Sequence, residues 1–490
     1  MAKVPSAAVF DLIKSLNKTE IRYFRVYCNR HVINEKNKYL SLFDLVIKQE
    51  SFNDNYLFLK SGFSRKQTYN ELKRYLYFVI LDALCAFYKR STTTNSIKYL
   101  IEQTTILFEK QLFHQAYQLL QKAKYLAEKN ESLKELYDVI ELEETILLNH
   151  LHLHELDERL KNNFKRKRFL SNQIAVCARY RYYYLKMGVA YLKGISKGAQ
   201  QIIHGLAGKI DIKEMHRMKQ YEIYFHGFSV LEKDFELSGN LNQCIKTRLT
   251  LLKLIEKYLP LRNVYPDYFE TYHNYILALI QAKHFKLVEK HLALLLAHYY
   301  KIKNEPVKTN VISYWFALTT KYFLQRRWYN ELSNVAAKYD REIPVKFLKE
   351  DSYYNQWLRQ KYWFAYAAFH DGNLRLCIRR LHEITNDPRE GIGAHIQLYA
   401  SLLKIIVHIE MGDFELGLSL LNALKRNFKV NNPRMNNVIR TYFSHIPKLG
   451  KSRLKQSWIN FYHDLEKCKS KNNSGFPKEL DITDWLKRKE

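Results

Sequence analysis

The chain has 490 residues, of which 47% are hydrophobic and 26% are charged, and this composition excludes a largely disordered protein. Only 15 glycines and 9 prolines are present, too few for the many turns of an all-β protein. Lysine and arginine total 79 against 49 aspartate and glutamate, which gives a net charge of +30.

Residues 1–90 are predicted to form a small N-terminal helical cap domain. The first twelve residues contain no apolar segment typical of a signal peptide. A Ser/Thr cap at Ser15–Thr19 starts one helix. Leu72, Leu76, Ile80 and Ala83 follow the spacing of a buried helix face.

Residues 91–447 are predicted to form an array of antiparallel helix pairs, because one type of turn recurs along them. In each turn a large apolar residue follows small or polar ones, and a small residue comes three positions later. Gly239, Gly372 and Gly412 are predicted to end a helix in the left-handed conformation. Phe285 and Phe414 are predicted to wedge between two helices. The large apolar positions are 241, 285, 328, 374 and 414, spaced by 40 to 46 residues. Because each pair buries its apolar face only against its neighbours, the sequence predicts an all-α protein, a right-handed α-solenoid with a period of about 43 residues.

The segment Met411-Gly412-Asp413-Phe414, followed by Gly417, is similar to the Gly-Asp-Phe-x-x-Ala element of the tetratricopeptide repeat. The longer period and the missing Trp and Pro positions depart from that consensus. The N-terminal block, the array and the closing segment 481–486 also resemble a family of uncharacterised all-helical proteins of Bacteroidota. That resemblance implies a cytoplasmic helical-repeat protein without catalytic residues.

The strongest basic cluster lies between positions 161 and 184. Residues 161–168 read Lys-Asn-Asn-Phe-Lys-Arg-Lys-Arg, and 179–184 read Arg-Tyr-Arg-Tyr-Tyr-Tyr. Interleaved arginine and tyrosine can contact phosphates and stack on unpaired bases. The candidate polyanion-binding residues are Lys161, Lys165, Arg166, Lys167, Arg168, Arg179 and Arg181. The alternative is a solvated loop at 161–168 and a buried aromatic helix face at 180–184.

A second candidate surface lies between positions 353 and 380, where aromatic residues are dense and arginines follow. Aromatic residues at helical spacing are typical of a solenoid core. The alternative is a groove on the concave face, where such arrays bind extended peptides. The candidate groove residues are Tyr354, Trp357, Arg375 and Arg379.

Signs of catalysis and of cofactor binding are weak. The chain contains no P-loop, dinucleotide-binding, zincin or hydrolase motif, so no cofactor and no enzyme activity are expected. His150, His152 and His154 form a His-x-His-x-His run in which His150 and His154, if helical, have the spacing of a metal pair, but turn-region histidines are the favoured interpretation. Glu141, Glu143 and Glu144 are interpreted as a solvated face. The six cysteines are scattered singly, which predicts buried thiols in a reducing compartment.

Residues 448–490 are predicted to form a capping helix, a polar linker and a short terminal helix. The linker covers 467–477, and the terminal helix around Trp485 is expected to pack back onto the last repeat. The apolar stretches of the chain are too short or too interrupted for a membrane span. A cytoplasmic location is therefore expected.

The predicted function is a non-enzymatic protein–protein interaction scaffold that uses the concave face of the array. The alternative is a basic factor that binds RNA or the ribosome. The net charge of +30 has two interpretations: a polyanion partner, including peripheral contact with an anionic surface, or codon bias. Codon bias also accounts for the 37 tyrosines and 27 phenylalanines.

Overall fold

The structure is a computed structural model that describes residues 7–29, 38–89, 91–149, 153–192, 196–258, 265–342, 351–386, 394–427, 433–451, 455–471 and 481–487. Within these ranges all regular secondary structure is α-helical, so the prediction of an all-α protein is confirmed. The helices are α1 (Ala8–Ser15), α2 (Lys18–Asn29), α3 (Lys38–Lys48), α4 (Asp54–Lys60), α5 (Lys66–Tyr88), α6 (Thr93–Glu109), α7 (Phe113–Lys129), α8 (Leu133–Leu147), α9 (Leu153–Leu192), α10 (Lys197–Ala207), α11 (Ile212–Met218), α12 (Tyr221–Leu237), α13 (Leu241–Tyr258), α14 (Tyr265–Gln281), α15 (Phe285–Lys301), α16 (Glu305–Arg326), α17 (Tyr329–Glu342), α18 (Asp351–His370), α19 (Leu374–Thr385), α20 (Ala394–Glu410), α21 (Phe414–Asn427), α22 (Pro433–Lys451), α23 (Lys455–Lys471) and α24 (Thr483–Lys487).

The chain divides into two compact units. The first unit comprises Met1–Val230 with Lys257–Asn263, and the second comprises Leu231–Glu256 with Val264–Glu490. The predicted domain limits at residues 90 and 447 stay a prediction.

In the first unit, α1, α2 and α3 all contact α5. Phe24, Phe43, Tyr69 and Leu76 are fully buried between these helices. From α6 to α10 each helix contacts the next one along the chain. Within this series α9 is much longer than its neighbours, with 40 residues.

The second unit is built from successive helix pairs. From α14 to α24 every helix contacts the next helix in the chain. In addition α14, α16, α18, α20 and α22 contact one another in that order. Each helix of this row therefore buries one side against its own partner and another against the equivalent helix of the next pair, as in a helical repeat.

Seven turns in the described ranges share one hydrogen-bond pattern. After Gly412, for example, the Gly412 N–H donates to the Ile409 carbonyl and the Asp413 N–H donates to the His408 carbonyl. This pair of hydrogen bonds is the Schellman motif, which caps the C-terminal end of a helix. The residues at the equivalent position are Gln111, Glu131, Gly239, Lys283, Arg327, Gly372 and Gly412, and all have positive φ.

The residues after each turn set the spacing of the two helices. Ala116, Cys244, Val288 and Cys377 occupy the small-residue position, and all are fully buried. At Gly417 an added Cβ would lie 3.0 Å from Cγ1 of Ile409. The large apolar residues Phe285 and Phe414 are only half-buried, so the small residue makes the closest contact between the helices.

Replacing Gly412 by valine is expected to destabilise the second unit by at least about 1–2 kcal/mol, because a β-branched residue resists the left-handed conformation. The φ of Gly412 is 90°, and no atom lies within 4 Å of an added Cβ, so the cost is conformational and not steric. Tryptophan fluorescence during urea unfolding measures it, since all six tryptophans belong to this unit. The control is Gly205→Ala in α10, where the added Cβ is equally free and the backbone is helical; because α10 belongs to the first unit, this variant is expected to leave the fluorescence transition unchanged. An unchanged midpoint for Gly412→Val contradicts the cap assignment.

A buried ionic network joins α12, α13 and α14 within the second unit. The Arg248 side chain is fully buried, and its Nε donates to Glu232 at 3.1 Å. Its Nη2 donates to Glu236 at 2.6 Å, and its Nη1 donates to the Asn274 carbonyl at 2.8 Å. Burial raises the pKa of Glu232 despite the attraction of Arg248. At Glu236 the cations Lys233 and Arg248 outweigh burial and lower the pKa.

His273 makes the stability of the second unit depend on pH. Burial, together with the charge of Lys321, lowers the pKa of His273 to about 4. Because the folded pKa lies below the unfolded value near 6.5, the stability due to the neutral ring is complete above that pH. It is lost as pH falls toward 4, by about 2 kcal/mol at pH 5.

His273→Gln is therefore expected to flatten the decrease of the urea midpoint between pH 7.5 and pH 5. The same substitution at the exposed His463 is the control, and it is expected to leave the slope unchanged. Parallel pH curves for wild type and His273→Gln contradict the assignment.

Candidate nucleic-acid interface

Both predicted basic segments lie on a single helix, α9, which runs for 40 residues from Leu153 to Leu192. At 1.5 Å per residue this helix is about 60 Å long. Residues 161–168 are therefore helical and do not form the loop of the alternative interpretation. From Arg159 to Leu192 the sequence contains nine lysines and arginines and no aspartate or glutamate.

Four of the seven candidate residues line up on one side of α9. Lys161, Lys165, Arg168 and Arg179 are exposed. Their spacings of four, seven and eighteen residues keep them within a narrow sector of a helix with 3.6 residues per turn. Lys186, which sequence reasoning did not single out, extends this line. The basic face of α9 is thus Lys161, Lys165, Arg168, Arg179 and Lys186, and it spans about 38 Å along the axis.

The other three candidates point elsewhere. Arg166 and Arg181 are exposed, but the helical period places them more than a quarter turn from the basic face. Lys167 turns toward α8, where its Nζ donates to Glu144 at 2.8 Å. This hydrogen bond raises the pKa of Lys167.

Within the basic face, two cations have carboxylate partners and three do not. Lys161 pairs with Asp157 at 2.6 Å, and both side chains are exposed. Arg179 donates to both carboxylate oxygens of Glu214, at 2.6 and 2.7 Å. No ion pair to Lys165, Arg168 or Lys186 is present among the residues that the structure describes. Those three charges are therefore available to an external anion.

The acidic residues of α8 neutralise the inner side of α9. Glu143 is buried and accepts from Lys124 at 2.7 Å and from Asn163 of α9 at 3.2 Å. The interpretation of Glu141, Glu143 and Glu144 as a solvated face is therefore wrong for Glu143. Because these contacts engage the side of α9 that packs on α8, they leave Lys165, Arg168 and Lys186 of the basic face without compensating charge.

Exposed aromatic rings flank the basic face. Phe164 is 64% exposed and Tyr182 is 55% exposed. They are eighteen residues apart, or five turns, so they lie on one line of the helix. Lys186 Nζ lies 5.5 Å from the centroid of the Tyr182 ring. By contrast Tyr180 is fully buried, so part of the 180–184 segment belongs to the core.

The four candidate groove residues do not come together. Tyr354 is fully buried and Trp357 is half-buried, and their rings stack at 5.7 Å in the core of the second unit. Arg375 and Arg379 are exposed one turn apart on α19. Only the two arginines therefore contribute to a surface.

The remaining candidate groups offer no clear chemistry. His150 and His152 lie outside the described residues, as does the side chain of His154, and elsewhere in the described chain no cluster of three metal-ligating side chains occurs. Burial raises the pKa of Cys28 and of Cys244 to about 11. Cys85 is exposed, so the prediction of buried thiols is wrong at that position.

None of the helices in the described ranges has the length and apolarity of a membrane span.

Comparison of the chain with models of protein families and with curated proteins finds no match.

Proposed function

We propose that this is a non-enzymatic, cytoplasmic helical-repeat protein that binds RNA along the basic face of α9. The observation that carries the proposal is the set of three outward cations without carboxylate partners, Lys165, Arg168 and Lys186, in line on one helix. A solvated surface helix usually mixes both signs of charge, and i,i+4 pairs of opposite charge stabilise it. From residue 159 onward α9 has only one sign, and this pattern is expected where phosphates supply the opposite charge.

The regular geometry of α9 favours a polyanion over a single small anion. The basic face spans about 38 Å of a rigid helix, which is too long for one phosphate group. Each cation that neutralises a phosphate releases a condensed counterion, so several cations in line give an affinity that depends strongly on salt. The exposed rings beside the cations favour RNA over an acidic protein, because bases have faces on which they stack.

We infer that the second unit is a right-handed, tetratricopeptide-like α-solenoid with a period of about 43 residues. The left-handed cap positions at 239, 283, 327, 372 and 412 recur at 40 to 45 residues and support this period. The ordered contacts among α14, α16, α18, α20 and α22 support stacking. A protein partner bound to this array stays the alternative function, for which Arg375 and Arg379 are the two exposed residues of the candidate groove.

A salt titration of RNA binding tests the proposal. A fluorescent RNA of about 20 nucleotides is titrated with the full chain at 0.05, 0.1, 0.2 and 0.5 M salt. With three to five phosphates contacted, the slope of log affinity against log salt is expected to be about −2 to −3.5. Absence of binding at 0.05 M, or poly-glutamate bound as tightly as RNA, overturns the proposal.

A further inference from the structure

We propose that the ligand of α9 is single-stranded RNA, whose unpaired bases stack on Phe164 and Tyr182 while its phosphates contact Lys165, Arg168 and Lys186. This inference rests on the proposed function and specifies which form of RNA is bound.

The two rings are placed as stacking platforms on a common line. Phe164 and Tyr182 lie about 27 Å apart on the same side of α9, next to the basic face. Both rings leave more than half of their surface in solvent. Lys186 Nζ is 5.5 Å from the Tyr182 centroid, so a base on the ring and a phosphate on the ammonium group lie within reach of neighbouring nucleotides.

The surface between the rings consists of small side chains. Ser171, Ala175 and Ala178 lie on this side of the helix between Phe164 and Tyr182, and all three are exposed. Small side chains allow a strand to approach the helix backbone closely. They also separate the two rings, so that Phe164 and Tyr182 do not belong to one continuous row of large apolar side chains such as an amphipathic helix inserts into a lipid surface.

Stacking distinguishes single strands from duplexes. In an A-form duplex the bases are stacked on one another and do not reach a protein ring, so duplexes are bound through phosphates and 2′-hydroxyl groups. In a single strand every base offers a π-face, and removal of one stacking ring lowers affinity by about tenfold or more. The basic face alone would bind both forms of RNA.

The test compares a single-stranded RNA of about 20 nucleotides with the duplex of the same sequence at 0.1 M salt. The full chain is used as wild type and as the double variant Phe164→Ala, Tyr182→Ala. The double variant is expected to lose at least about tenfold in affinity for the single strand and less than twofold for the duplex. Phe164→Tyr with Tyr182→Phe keeps both rings and is expected to retain binding, which separates stacking from any effect on folding.

A matched control removes exposed rings elsewhere. Tyr125 and Tyr300 are 61% and 65% exposed, and Lys129 lies over the Tyr125 ring as Lys186 lies over Tyr182. Tyr125→Ala with Tyr300→Ala is expected to leave affinity for both RNAs unchanged. Equal binding of single strand and duplex, with no effect of the Phe164 and Tyr182 substitutions, overturns this inference and leaves the proposed function standing. Failure to bind either RNA, or binding of acidic vesicles in place of RNA, overturns both.

Discussion

Replacing Arg248 by methionine is expected to destabilise the second unit by about 3–5 kcal/mol, the cost of breaking a buried ion pair from one side. The guanidinium is fully buried and makes three hydrogen bonds, to Glu232, Glu236 and the Asn274 carbonyl. Methionine has a similar length and fills much of the same volume, so the loss comes from the carboxylate left behind. Glu232 is affected most, since it is buried, whereas Glu236 keeps Lys233 at 3.0 Å.

Urea unfolding followed by tryptophan fluorescence measures this loss in the second unit alone. The double variant Arg248→Met, Glu232→Leu removes the stranded carboxylate and is expected to recover most of the stability, because an apolar replacement of a buried pair is often neutral. Arg359→Met on the exposed side of α18 is the matched control, and it is expected to change stability by less than about 0.5 kcal/mol. If the single and double variants unfold at the same midpoint, the carboxylate is not the origin of the cost.

The triple variant Lys165→Ser, Arg168→Ser, Lys186→Ser is expected to lower RNA affinity by roughly a hundredfold at 0.1 M salt. For a single strand, each lost phosphate contact reduces the salt slope by about 0.7, so three contacts reduce it by about 2. The fold is expected to be unchanged, because all three side chains are exposed and no ion pair to them is present in the described part of the chain. Lys167 is left in place because it pairs with Glu144.

A control variant with the same loss of charge separates a local site from general attraction. Lys286, Lys290 and Lys301 are exposed on α15, at spacings that place them on one side of that helix. Their replacement by serine reduces the net charge by the same three units. If both triple variants lose the same affinity and the same slope, the binding is a property of the overall charge of +30 and not of α9.

The helical architecture was predictable because it depends on local signals. Hydrophobic spacing identified the helices, and the glycines before Asn240, Asn373 and Asp413 marked the helix ends. The turns at Lys283 and Arg327 show the same left-handed backbone with a lysine or arginine in place of glycine. A residue with a side chain accepts this conformation at a cost of about 1 kcal/mol when the packing around the turn requires it. The conformational preferences of lysine and arginine therefore do not reveal that packing imposes the left-handed backbone at these two turns.

The candidate site was predictable in composition but not in geometry. The segments 161–168 and 179–184 were recognised as basic and aromatic, yet their relation depended on whether the chain between them is helical. Because α9 is one unbroken helix, the eleven-residue step from Arg168 to Arg179 makes about three full turns and places both side chains on one face. The eighteen-residue spacing of Phe164 and Tyr182 was the signal in the sequence that could have revealed the line of rings. The pairing of Lys167 with Glu144 depends on a contact between two helices, which no local pattern encodes.

The short helix α24 closes the core of the second unit over a long sequence distance. Trp485 lies between Phe369 and Trp458, with ring centroids 5.1 Å from each, and Asp484 pairs with Arg327 at 2.9 Å. The Tyr366 hydroxyl donates to the Asp481 carbonyl, which is 115 residues further along the chain. During synthesis at about 5–20 residues per second, α18 is therefore made roughly 6–23 s before the segment that completes its packing. During that interval Phe369 lacks the ring of Trp485, so the yield of native protein is expected to depend on the segment around Trp485 as well as on the repeats.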